Sequence, residues 1–161
     1  MAGILLKLGG YGFLRFSLEL FPTASSFFSP FVYTLSAFGV LYASLTTLQQ
    51  VDLKKIIAYS SVGHMGLVTI GIFSSTAYGI VGSVALMLSH GITSSALFIL
   101  IGLLYERYHT RVIKYYSGLS HTMPIFSVFF VIFSMANLGM PITSNFVGEF
   151  LVLLGCFSAN S

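Results

Sequence analysis

The chain has 161 residues, of which 56% are hydrophobic and only 7% charged, and its mean hydropathy is +0.94. An average soluble domain carries about 25% charged residues. With so little polar side chain to cover a water-facing surface, a soluble globule, a disordered tail and a nucleic-acid-binding module are all excluded. The net charge of +3 comes from few groups, and the single cysteine, Cys156, leaves no internal disulfide framework.

One membrane span with its loop takes roughly 30 residues, so the composition predicts an all-α polytopic membrane protein of about five helices, one transmembrane segment covering residues 1–161. Lys7, the first charge, follows apolar residues instead of preceding them, which does not fit a signal peptide. The first helix is expected over about 1–20, stopping before Phe21-Pro22, and the second over about 31–48, just after Pro30. The third is expected over about 56–73 and the fourth over about 78–105. The last apolar stretch, about 124–157, is too long for one straight span. Gly139-Met140-Pro141 interrupts it, and a proline there removes a backbone donor and clashes with the preceding turn. The alternative is a full span followed by a partial re-entrant one.

The connections differ in charge. Residues 21–26 and 74–77 carry none. The second-to-third connection holds Asp52, Lys54 and Lys55, and the fourth-to-fifth holds Glu106, Arg107, His109, Arg111, Lys114 and His121. These two lie two helices apart, hence on one side, which the positive-inside rule assigns to the cytoplasm or matrix.

Four titratable residues remain at membrane depth: Lys7, His64, His90 and Glu149. Such groups are expensive in lipid and by default mark function. A lone histidine is often only a structural hydrogen-bonder, and a lysine near a chain start can snorkel to the interface. Four such groups on four of five segments weaken both readings. Each also sits on a small or polar stripe at helical spacing. Lys7 goes with Gly3 and Gly10, and His64 with Ser60 and Ser61. His90 goes with Ser83, Met87, Thr93 and Ser94, and Glu149 with Asn145 and Pro141. Such faces point into a bundle, where lysine, histidine and glutamate can hand on protons. The break before Glu149 is either a plain proline kink or an exposed-backbone site of the kind transporters use. A histidine pair could hold haem, but there is no attachment motif and both histidines lie among hydroxyls. No metal-ligand spacing, phosphate loop or nucleophile–base arrangement stands out.

Several strings carry a resemblance. Met1 to Lys7 (MAGILLK), followed by Tyr11 to Phe16 (YGFLRF), resembles the lysine-bearing helix of the antiporter-like membrane-arm subunits of respiratory complex I. Asp52 to Gly66 (DLKKIIAYSSVGHMG) resembles the next, histidine-bearing helix of that family, and Leu88 to Gly91 (LSHG) the one after. Gly139 to Phe150 (GMPITSNFVGEF) resembles its broken, glutamate-bearing helix. The match runs in order along the whole chain. A glutamate at position 149 and Ser94 one turn after His90, each where other branches carry lysine, single out one branch.

The resemblance implies roles. Lys7 matches the central lysine of the hydrophilic axis, His64 and His90 match the histidines that link it onward, and Glu149 matches the terminal glutamate of a half-channel. Protons would pass along these groups in response to quinone reduction elsewhere in the complex. No cofactor or metal is expected in this chain; flavin, iron–sulfur clusters and quinone belong to other subunits. The partners implied are other complex I membrane-arm subunits and membrane lipid, with no nucleic acid, and the location implied is the mitochondrial inner membrane. Family members are several-fold longer, so the chain resembles the middle-to-late piece of a split subunit, completed by separate chains. Two other readings stay open: a subunit of a cation/proton antiporter or membrane-bound hydrogenase, and a structural membrane subunit with no ion path.

Overall fold

The computed structural model describes residues 3–159. They form an all-helical assembly in chain order: α1 Leu5–Gly12, a π turn Phe13–Ser17, α2 Leu18–Leu20, α3 Pro22–Gln49, α4 Leu53–Phe73 and α5 Ala77–Tyr108. A 3-10 turn Ile113–Tyr115, α6 Leu119–Thr122, α7 Pro124–Asn137 and α8 Ser144–Ala159 complete it. Helices α3, α4 and α5 are long and apolar enough to cross a membrane; α7 and α8 are shorter apolar helices.

The second helix begins earlier than its sequence predicts. Expected over 31–48, it runs over Pro22–Gln49, so residues 22–26 are helix and Phe21 alone turns the chain. Two prolines explain this. Pro22 takes the first helical position, where no N–H is needed. Pro30 lies inside α3 and cannot donate to the Ser26 carbonyl, but the Ser29 hydroxyl donates to that oxygen at 2.9 Å. A neighbouring hydroxyl is the usual remedy for an intramembrane proline.

The fourth helix, α5, is the axis of the fold. Thr76 caps its start, its Oγ1 accepting from the Gly79 N–H at 3.1 Å. Its 32 residues include buried Leu86, His90, Thr93, Ser94, Leu97, Ile101 and Leu104. With α4 it encloses one apolar cluster built on Met65, Val68, Ile72, Phe73, Leu86 and Met87. A second, nearer the charged loops, is built on Ile57, Leu97 and Ile101, with Phe130 and Phe133 of α7 packed against it.

The last stretch breaks where the sequence predicts. Helix α7 ends at Asn137, and Gly139 follows with φ +70°. The Gly139 N–H donates to the Ala136 carbonyl and the Met140 N–H to the Met135 carbonyl, both at 3.3 Å. This is a Schellman ending, which needs the left-handed residue that glycine supplies. Pro141 then prevents the helix from resuming before Ser144.

No re-entrant hairpin follows. Phe130 and Phe133 of α7 meet the α5 half around Leu97 and Ile101. Gly148, Leu151 and Val152, and Gly155 of α8 meet Leu86, Gly82 and Gly79 in turn. Helix α8 therefore continues antiparallel along the other half of α5. Together α7 and α8, 14 and 16 residues, have nearly the length of the 32-residue α5, about 45 Å. They form one discontinuous crossing.

The two charged connections lie at one end, as their charge predicts. Asp52 and Val112 form an antiparallel bridge, with the Leu53 N–H donating to the Arg111 carbonyl and the Ile113 N–H to the Val51 carbonyl, both at 3.1 Å. Arg111 stacks over the Tyr105 ring at 4.4 Å, and the Tyr116 hydroxyl donates to the Thr110 carbonyl. Over the rest of the surface large apolar side chains face outward, among them Phe27, Phe38, Leu48, Leu88 and Ile92. Lipid is the solvent that fits such a surface.

Candidate functional site

The four titratable residues singled out above come together in one line through the middle of the bundle. Lys7 Nζ lies 2.9 Å from His90 Nδ1. The His90 and His64 rings face each other with centroids 5.1 Å apart at 48°. His64 Nδ1 lies 2.9 Å from Glu149 Oε1. The spatial order is Lys7, His90, His64, Glu149, which is not their order in the chain.

Each helix delivers its group by a local device. The Gly3, Lys7, Gly10 stripe faces α5. A Cβ at Gly3 would stand 3.2 Å from Ser95 Cβ, and one at Gly10 would stand 2.6 Å from Met87 Sδ. On the facing helix, Gly91 leaves room beside Lys7 Cε. Small residues of this kind let two membrane helices come close, and here they carry the Lys7 ammonium into reach of His90. The lysine thus finds a partner within these helices instead of snorkelling away.

His90 is the deepest member, 1% exposed, with His64 and Glu149 side chains at 17% and 22%. Among the described residues, its Nε2 is buried without a hydrogen-bond partner, as is Oδ1 of Asn145. Asn145 Nδ2 donates to Thr93 Oγ1 at 3.5 Å, and Thr93 in turn donates to the His90 carbonyl at 3.3 Å. The first turn of α8 is thereby tied to the turn of α5 that holds His90.

Glu149 owes its position to the α5–α8 seam. A Cβ at Gly148 would stand 2.9 Å from the Leu86 backbone, and one at Gly82 would stand 2.7 Å from the Val152 N–H. The two backbones touch, and Glu149, next to Gly148, is projected toward α4 and His64. Its other oxygen, Oε2, lies against the break, 2.7 Å from where a Cβ on Gly139 would be. Gly139 is therefore required twice, for its positive φ and for the carboxylate beside it.

The sequence reading missed one polar contact. Asn137, the last residue of α7, donates from Nδ2 to Ser60 Oγ at 3.4 Å, one turn from His64. An amide closing an otherwise Phe-, Val- and Ile-rich helix just before the Gly139 break was the available signal. Asn137 and Asn145 thus bind the two sides of the break to α4 and α5.

The chain matches, over residues 1–161, the family described as NADH:quinone oxidoreductase/Mrp antiporter, transmembrane. It is 69% identical over 160 residues to NADH-ubiquinone oxidoreductase chain 4 of Chondrus crispus, covering 99% of this chain and 32% of that one. It is 62% identical to the chain of the same name from Marchantia polymorpha, covering 100% and 32%. Chain 4 is the branch to which Glu149 and Ser94 point. Among solved structures, respiratory complex I from Thermus thermophilus with bound NADH contains a chain that superposes with a TM-score of 0.91 at 35% identity, covering 95% of this chain and 33% of that one. The chain spans about a third of the length of the curated relatives it matches.

Proposed function

This chain belongs to the NADH:quinone oxidoreductase/Mrp antiporter transmembrane family, and we propose that it passes protons along Lys7, His90, His64 and Glu149 as part of the membrane arm of a mitochondrial NADH:ubiquinone oxidoreductase. The observation that carries the proposal is the alignment of the four groups across four helical segments, with 2.9 Å at each end and the two imidazole centroids 5.1 Å apart between them. Relatives named as chain 4, at 56–69% identity, support respiratory complex I over a stand-alone antiporter.

The geometry suits a stepwise transfer. The Lys7 ammonium donates to His90 Nδ1, so His90 carries its own proton on Nε2 (a tautomer inferred from the contact). When Nδ1 takes the lysine proton, the ring becomes an imidazolium and releases its Nε2 proton to Nε2 of His64. His64 then passes its Nδ1 proton to Glu149 Oε1. Lys7 and Glu149 end neutral, and one positive charge has moved along the axis. A hydrated passage or a small ring rotation closes the gap between the two imidazoles. Flavin, iron–sulfur clusters and quinone reside in other subunits, and this chain does no redox chemistry itself. Its partners are the other membrane-arm subunits, and its location is the mitochondrial inner membrane.

The test is Lys7→Ala and Glu149→Gln, made separately in the respiratory complex that contains this chain and reconstituted into sealed vesicles. Both variants should assemble, as judged by native electrophoresis, and lose proton translocation. Assembly with wild-type pumping in both would sink the relay and leave a structural role.

A further inference from the structure

At the end of the bundle that holds the charged connections, a small basic cavity adjoins a larger apolar one. The first, about 170 Å³, is lined by Lys54, Phe98, Ile101, Gly102, Tyr105 and Arg111. The second, about 590 Å³, shares Lys54 and Phe98 with it and continues along Ile4, Ala58 and Ile99. We propose that the two together bind one anionic phospholipid, its phosphate held by Lys54 and Arg111 and an acyl chain laid along Phe98, Ile99 and Ile4.

Three observations carry this. First, the two cations lack an anion. Lys55 pairs with Asp52 at 3.5 Å and Arg15 with Glu19 at 3.6 Å, whereas among the described residues neither Lys54 nor Arg111 has an ion-pair partner. Arg111 lies over the Tyr105 ring at 4.4 Å, a stacking that leaves the donors on the guanidinium edge for a ligand. Second, the backbone brings the two cations to one cavity. The Leu53 N–H donates to the Arg111 carbonyl at 3.1 Å, so Lys54, the next residue, is held beside the other charged connection. Third, the chemistry changes with depth as it does along a phospholipid. Lys54 is the second residue of α4 and Arg111 lies beyond the end of α5. Phe98 is ten residues before that end at Tyr108, about 15 Å deeper along the helix. Basic pockets between membrane helices on the cytoplasmic or matrix side attract acidic headgroups.

The same residues set the charge of the ligand. A choline headgroup would bring another cation against Lys54 and Arg111, and among the described residues no carboxylate lines either cavity to receive it. A phosphate carrying a neutral polyol matches both cations and suits the fork of a guanidinium. An apolar helix from another segment would fill the larger cavity but leave the two cations unmatched.

None of the four axis residues lines either cavity, so the site is tested apart from the proton relay. The respiratory complex that contains this chain is reconstituted in phosphatidylcholine vesicles holding a trace of phosphatidylglycerol with a diazirine on one acyl chain. After illumination the labelled peptides are mapped by mass spectrometry. Label is expected at Ile4, Phe98 or Ile99, displaced by excess unlabelled phosphatidylglycerol and retained under the same excess of phosphatidylcholine. No label at these residues means that protein covers the groove, and equal displacement by both lipids means that it holds bulk lipid. Either result overturns the proposal.

Two variants separate charge from space. Lys54→Gln combined with Arg111→Gln removes both cations. Gly102→Leu keeps them and fills the basic cavity; no atom lies within 4 Å of a Cβ built there, so the larger side chain fits. Each should assemble, as judged by native electrophoresis, and lose the displaceable label. Wild-type labelling of either assembled variant overturns the proposal, and if the double variant fails to assemble, Gly102→Leu decides it alone. The readout needs no pumping, so it holds whatever Lys7→Ala and Glu149→Gln show of the relay.

Discussion

The two halves of the broken span pack against the same helix in opposite ways. Helix α7 meets α5 through large side chains, with Phe130 and Phe133 packed against the cluster that holds Leu97 and Ile101. Helix α8 meets α5 backbone to backbone, through Gly148, Gly155, Gly79 and Gly82. Only α8 carries a titratable group at depth. A soft aromatic seam tolerates small shifts, because ring contacts exchange for one another at little cost. A glycine seam admits one register, and that register aims Glu149 at His64. The half-helix that carries Glu149 is the half locked by its backbone.

Substitutions on the two sides should separate these roles. The largest effect is expected for Gly148→Leu, which drives a side chain into the Leu86 backbone. Overpacking of this kind costs about 1–3 kcal/mol or more, and the amount of assembled complex on a native gel should collapse. If the complex forms normally, the seam is less rigid than its geometry implies. Gly139→Ala comes next. A left-handed non-glycine residue costs roughly 1–2 kcal/mol, and its methyl group displaces Glu149 Oε2. Proton translocation per assembled complex should fall further than assembly does; equal losses would reduce Gly139 to a turn residue. The smallest effect is expected for Phe133→Leu on the aromatic seam. It should cost less than about 1.5 kcal/mol, because apolar side chains gain only packing, not dehydration, when helices associate in lipid. Its thermal midpoint and its pumping should both stay near wild type, and a loss of pumping would place α7 within the transfer machinery.

Much of the fold was legible beforehand because lipid restricts a chain so severely. Composition identified the solvent, long apolar runs located α4 and α5, and Gly139-Met140-Pro141 located the break. The start of α3 was misread because Pro30 stops a helix in water. Here the Ser29 hydroxyl occupies the carbonyl that the proline leaves bare. The candidate site was legible as four costly side chains, and Asn137 escaped notice because a single amide at a helix end carries no periodic signal.

The sequence by itself determined which groups would be costly in hydrocarbon, since a lysine, a histidine or a glutamate is expensive there by its own chemistry unless it finds a partner. It could not determine that Lys7 meets His90 while His64 meets Glu149. Adjacency between helices depends on their rotation and register, which the contacts at Gly91, Gly82 and Gly148 impose. Those contacts join residues far apart in the chain, and only the assembled bundle decides them.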